Sequence, residues 1–186
     1  MKALIIYGTR YGATKGTSKE IAEVLQEEKF DVKVVNAQEE KVKDISEYGL
    51  VAVGSGVACG RWVDGAEDFL KKFRKEFEHK KLALFVSSVE PIAAREGNTE
   101  EVRKMHKIDL EDRVSKYGLE PVSMGFFGGI IDFNRMGFLT RKGMEAAFKS
   151  LLQKHGFTET APGSYDLRDW NEIRNWAKEL AKKSRE

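Results

Sequence analysis

The chain has 186 residues, with 32 Lys and Arg against 30 Asp and Glu, one cysteine and three histidines. That length fits one α/β domain that buries ~70% of its unfolded surface, and is short for two independent cores. A net charge of +2 offers no basic face for nucleic acid, Cys59 has no partner for an internal disulfide, and His79, His106 and His155 lack the spacing of a zinc site.

Residues 2–7 read as a strand and 18–28 as a helix whose apolar stripe is Ser18, Ile21, Ala22 and Leu25. Between them lies Gly8-Thr9-Arg10-Tyr11-Gly12-Ala13-Thr14-Lys15. The first amides of a helix lack intrahelical acceptors and carry the positive end of the helix dipole, so an anion fits there. Thr9 and Thr14 are expected to offer hydroxyls to a phosphate, and Gly12 to omit a Cβ that would block its approach. A triphosphate loop is excluded, because Lys15-Gly16-Thr17 reverses the required lysine and glycine. A dinucleotide fingerprint fails as well: Gly54-Ser55-Gly56 with Gly60 is one residue too long and follows the wrong strand. An ordinary strand-to-helix turn with a threonine cap is the remaining alternative.

Further strands are expected at 31–35, 50–55, 81–87 and 121–127, several of them continuous apolar runs of the kind found in a parallel sheet covered on both faces. The helix after the third strand aligns Phe69, Phe73 and Phe77. Five such strands alternating with helices predict a three-layer, doubly wound α/β sandwich of order 2-1-3-4-5, which binds ligands beyond the carboxyl ends of strands 1, 3 and 4.

Those ends carry the two other distinctive loops. Ser55-Gly56-Val57-Ala58-Cys59-Gly60-Arg61-Trp62 is glycine-rich and suited to gripping a flat ring, with Trp62 or Tyr11 covering one face. Alternatively, Trp62 anchors its loop to the core. Cys59 reads as a small packing residue, since no second thiol exists. Ser87-Ser88-Val89-Glu90-Pro91-Ile92-Ala93-Ala94-Arg95 supplies hydroxyls and amides for a third side.

The segment 125–157 is an addition to this plan. It holds Phe126, Phe127, Ile130, Ile131, Phe133, Met136, Phe138 and Leu139 beside Arg135, Arg141 and Lys142, bulk and charge that suit a membrane surface or a large flat substrate. Met144, Ala147, Phe148, Leu151 and Leu152 follow at helical spacing, as for core packing or a homodimer contact. The last helix is expected to start with Asp169 as cap and Glu172 completing a capping box, and to bury Trp170, Ile173, Ala177, Leu180 and Ala181. The apolar run after Met1-Lys2 is too short for a signal peptide and no run reaches the roughly 20 apolar residues of a membrane span, so a cytoplasmic location is expected.

The run Thr9-Arg10-Tyr11-Gly12-Ala13-Thr14 resembles the loop that holds the FMN phosphate in flavodoxin-like proteins. Over its whole length the chain resembles the menaquinone-dependent protoporphyrinogen IX dehydrogenases, through Thr9-Arg10 with Gly12 and Thr14, Val53-Gly54-Ser55 with Gly60-Arg61-Trp62, Ala94-Arg95, and the closing Tyr165-Asp166 with Asp169-Trp170. The resemblance implies a flavodoxin-like fold over 1–186 and FMN as cofactor. It implies cofactor contacts from Thr9, Arg10, Tyr11, Gly12, Ala13, Thr14, Ser55, Gly56, Val57, Ala58, Cys59, Gly60, Trp62, Ser87, Ser88, Val89, Ala94 and Arg95. It also implies that a backbone carbonyl of the second loop stabilises the half-reduced flavin. In that family electrons pass from a reduced tetrapyrrole through FMN to a membrane quinone, which would bring the protein to the inner membrane face.

The flavin carries such chemistry, and no catalytic acid or base stands out in the sequence. Arg61 and Arg135 could pair with substrate carboxylates, or could simply be surface residues. The alternative is a flavodoxin electron carrier between protein partners, against which the near-neutral charge argues, since such carriers dock through acidic surfaces. A flavin-free regulatory protein on the same fold is a third reading.

Overall fold

The run Ala3 to Tyr7 lies at the centre of a sheet because both of its faces are apolar, and Leu4, Ile5 and Ile6 are fully buried. The structure is a computed structural model and describes residues 1–58 and 60–186. Strands β1 (Lys2–Gly8), β2 (Asp31–Asn36), β3 (Leu50–Ala58), β5 (Lys81–Ser88) and β6 (Ser123–Gly128) are parallel, in the order β2-β1-β3-β5-β6. Counted along the five parallel strands, this is the expected 2-1-3-4-5 order. A two-residue strand, β4 (Arg61–Trp62), returns antiparallel on β3.

Helices cover both faces. Helix α1 (Ala13–Glu27) and the last helix, α7 (Trp170–Lys183), pack together on one side, over a core that includes Ile5, Ile21, Leu25, Phe85 and Ile173. On the other side α2 (Asp64–Phe73) presents Phe69, Leu70 and Phe73 to Leu4, Val53 and Leu84. Phe77 joins this second core from a separate 3-10 turn, Glu76–His79, rather than from α2 itself. The connection from β5 to β6 is made of short pieces: α3 (Glu90–Arg95), α4 (Thr99–His106), a π-turn (Lys107–Glu111) and α5 (Asp112–Tyr117).

Gly128 ends β6, so the first four residues of the expected 125–157 addition belong to the main sheet, with Phe127 in the α1/α7 core. The added structure follows as β7 (Ile130–Asp132), a 3-10 turn (Phe133–Arg135), α6 (Phe138–Lys154), β8 (Glu159–Ala161) and β9 (Ser164–Asp166). Its three strands form an antiparallel sheet of order β7-β9-β8. A third core, Ile131, Phe133, Leu152, Phe157, Tyr165 and Leu167, joins this small sheet to Ile92 of α3. Leu152 is the only fully buried member of the stripe expected along α6, while Phe138 and Leu139 at its start are 69% and 83% exposed.

Asp169 caps α7 as its position suggests: its Oδ1 accepts from the amides of Asn171 at 2.9 Å and Glu172 at 3.1 Å. Trp170 does not join the buried stripe of Ile173, Ala177, Leu180 and Ala181; it is 39% exposed and lies against Arg168.

Candidate functional site

Three strand ends meet at the carboxyl edge of the sheet, and their register fixes what faces what. Gly8 pairs with Ser55, Gly56 with Ser87, and Ser88 with Gly128. Residues 9–14, 55–58 and 87–89 therefore border one region.

Helix α1 begins five residues earlier than periodicity suggested, so Thr14 and Lys15 lie in its first turn rather than in a loop. Gly12 is the cap, at φ 91°, a left-handed conformation that costs a residue with a Cβ about 1–2 kcal/mol. A Cβ placed there would meet nothing within 4 Å, so backbone conformation rather than crowding explains the glycine. The loop is pinned by two bonds: the Gly12 amide donates to Thr9 Oγ1 at 3.0 Å, and the Thr9 amide to Gln38 Oε1 at 3.0 Å. Gly16 N–H reaches back to the Gly12 carbonyl at 3.1 Å, which leaves the amides of Ala13, Thr14 and Lys15 as the acceptor-free first turn of a 15-residue helix.

The Thr14 side chain is fully buried and its hydroxyl has no partner among the described residues. It lies under the second strand end, 3.3 Å from where a Cβ on Gly56 would stand. A buried hydroxyl without a partner costs about 1–3 kcal/mol. Ser87 Oγ, on the neighbouring strand end, is likewise buried without a partner among the described residues.

The glycine-rich stretch 55–62 is largely strand, residues 55–58 ending β3 and Arg61–Trp62 forming β4. Val57 pairs with Trp62 and Ala58 with Arg61, so backbone pairing closes it into a hairpin. The expected role of Cys59 lies outside the described residues. Ser55 turns its hydroxyl inward, donating to the Gly56 carbonyl at 3.0 Å and accepting from the Val63 amide at 2.9 Å. Trp62 is 2% exposed and donates its indole N–H to the Asp109 carbonyl at 2.7 Å, which is the anchoring alternative. Arg113 secures the same hairpin, donating to the Gly60 carbonyl at 2.9 Å and standing 5.1 Å from the Trp62 ring centroid. Gly60 has φ 70°.

At the third strand end, Ser88 Oγ accepts from the Glu90 amide at 3.2 Å and begins α3. Ala94 is exposed near the end of α3. Arg95 turns to the added segment, donating to the His155 carbonyl at 2.7 Å and stacking 3.8 Å from the Phe157 ring centroid. Tyr11 and the exposed Arg10 remain at the rim, with the Arg135 guanidinium 5.5 Å from the Tyr11 ring.

Sequence reasoning did not pair Glu90 with His106, which are 16 residues apart. Burial holds the Glu90 carboxyl above its ordinary range, against the pull of His106, whose Nε2 stands 3.6 Å away while its ring stacks on Phe126 at 3.7 Å. Nor did it single out Arg168, although Asp166 and Arg168 share one side of an extended segment at i,i+2 spacing.

Comparison with known proteins identifies the fold and the family. A flavodoxin of the domain Archaea matches at a TM-score of 0.57 with 16% identity, covering 100% of both chains. The two-electron reduced flavodoxin of Megasphaera elsdenii matches at 0.55 with 17% identity, covering 97% of this chain and 98% of its own. Identities this low establish the fold alone. The family model described as the flavodoxin domain matches residues 4–158, most of the chain and all three strand ends, and the chain belongs to the flavodoxin domain family.

Proposed function

We propose that the chain is an FMN-dependent oxidoreductase that moves electrons through a flavin held at these three strand ends. The observation that carries this reading is Thr14 Oγ1: a fully buried hydroxyl with no partner among the described residues, in the first turn of α1, beside amides that no helix bond uses. A phosphate there would satisfy the hydroxyl and the amides of Ala13, Thr14 and Lys15 together, so the residues present fit the group. When bound, FMN supplies one- and two-electron redox chemistry.

The protein's part is placement. Thr9 and Gly12 shape the loop, with Arg10, Tyr11 and Ala13 completing the phosphate side. Gly56, Val57, Ala58 and Gly60 offer backbone to the ring from the hairpin, which Trp62 and Arg113 hold in place. Ser87, Ser88 and Val89 close the third side, with the Ser87 hydroxyl, unpartnered among the described residues, available to a ring heteroatom.

For the substrate, we favour electron passage from a reduced tetrapyrrole to a quinone. The added subdomain supports it, since its Phe138–Leu139 tip is exposed beside Arg141 and Lys142 and so suits an apolar, anionic surface such as a bilayer. Among the described residues no helix is long and apolar enough to cross a membrane. A carrier role between redox proteins is the second reading, in keeping with the flavodoxin domain model that matches residues 4–158.

Anaerobic mixing with protoporphyrinogen and a menaquinone analogue separates the two readings. Porphyrin fluorescence that grows in proportion to both protein and quinone supports the enzyme. A rate equal to spontaneous oxidation leaves the carrier.

A further inference from the structure

Arg168 is held on three sides at the base of the phosphate loop. Its Nε donates to Asp166 Oδ1 at 2.8 Å and its Nη2 to Oδ2 at 2.5 Å, a two-pronged pair. Its guanidinium lies 4.3 Å from the Trp170 ring centroid. The third edge, Nη1, donates at 3.2 Å to the carbonyl of Ala13, the first residue of α1. The side chain is 10% exposed. One turn along, Gly16 makes room for it: a Cβ there would stand 2.1 Å from Arg168 Nη1.

The Ala13 carbonyl and the Thr14 N–H belong to the same peptide unit. A cation bonded to the oxygen of that unit draws electron density from it and strengthens its N–H as a donor, the same polarisation that links hydrogen bonds in chains. The Thr14 amide is one of the first-turn donors that face the end of the helix. Asp166 neutralises most of the long-range field of Arg168, so the effect reaches the niche through the Ala13–Thr14 peptide rather than as bare charge.

We propose that Arg168 is a positioning residue for the cofactor phosphate, acting through the Ala13–Thr14 peptide and held in place by Asp166 and Trp170. The proposal rests on the FMN reading above. It also gives the added segment a role in cofactor affinity, since Asp166 ends β9 and Arg168 follows it.

The test compares FMN with riboflavin, which has the same ring and no phosphate. Dissociation constants for both are measured by flavin fluorescence titration on the wild-type chain and on Arg168→Gln, Arg168→Lys and Gly16→Ala. Arg168→Gln should weaken FMN about tenfold, or about 1.4 kcal/mol, and leave riboflavin within about twofold. Gly16→Ala improves helix propensity yet displaces the guanidinium, so it should reproduce the selective loss in a chain that folds. Arg168→Lys keeps a cation and should recover part of it. Equal weakening of both ligands, or an unchanged FMN to riboflavin ratio in Arg168→Gln and Gly16→Ala, overturns the proposal while leaving FMN binding intact. A wild-type chain that binds neither ligand overturns both.

Discussion

Arg113 donates to the carbonyl of Gly60 at 2.9 Å, across 53 residues of sequence, and so joins α5 to the hairpin that borders the cofactor site. The same guanidinium reaches the Ile108 carbonyl at 2.6 Å and lies 3.6 Å from Glu67. Replacing Arg113 by Met keeps the stem but leaves the Gly60 and Ile108 carbonyls without this donor and removes the cation beside Glu67, which keeps Tyr117 at 2.9 Å and Lys116 at 3.2 Å. Denaturant unfolding should show a loss of about 2–4 kcal/mol. A loss below about 0.5 kcal/mol would mean that the hairpin is held by Trp62 and β-pairing alone.

Asp109 provides a pH signature in the same π-turn. Burial pushes its carboxyl from the ordinary 3.8 up to about 6, with Arg113 opposing the shift. The folded state therefore binds this proton more tightly than the unfolded chain. Its contribution to stability is greatest below about pH 4 and is lost as pH rises through 6. Asp109→Asn has no such proton to lose, so its stability relative to wild type should grow between pH 4 and pH 7, by at most about 3 kcal/mol. Parallel stability curves for the two proteins would show that the carboxyl ionises normally.

At Gly12 the backbone and not the space is restrictive. Gly12→Ala introduces no clash but forces a Cβ into φ 91° at the cap of α1. Thermal unfolding should register a cost of about 1–2 kcal/mol. An unchanged melting temperature would mean that the loop relaxes to another path.

Thr14→Val isolates the hydroxyl. The replacement has nearly the same volume and removes a buried donor that has no partner among the described residues, so the ligand-free protein should be as stable as wild type or slightly more so. FMN affinity should fall about tenfold and riboflavin affinity should hold. The opposite pattern, lower stability with unaltered FMN affinity, would assign the hydroxyl to the fold.

The frame was legible in the sequence because strands buried on both faces are continuous apolar runs, as β1, β3 and β5 are. The start of α1 was not, since periodicity locates apolar positions whereas the helix begins where Gly12 turns left-handed. The glycine-rich stretch 55–62 reads as a loop by composition, yet its first four residues end β3 and Val57 pairs with Trp62. Arg95 could not be placed from sequence at all, because its partners, His155 and Phe157, are about 60 residues away. Nor could Arg168, whose contact with Ala13 spans 155 residues. Local patterns thus reveal the cradle, while the side chains that brace it come from distant segments.

The most direct measurement is a titration of the purified chain with FMN and with riboflavin, followed by flavin fluorescence. The account predicts one equivalent of FMN bound at least about tenfold more tightly than riboflavin, because the phosphate satisfies Thr14 and the first amides of α1. Equal affinity for the two, or no FMN binding, would contradict it.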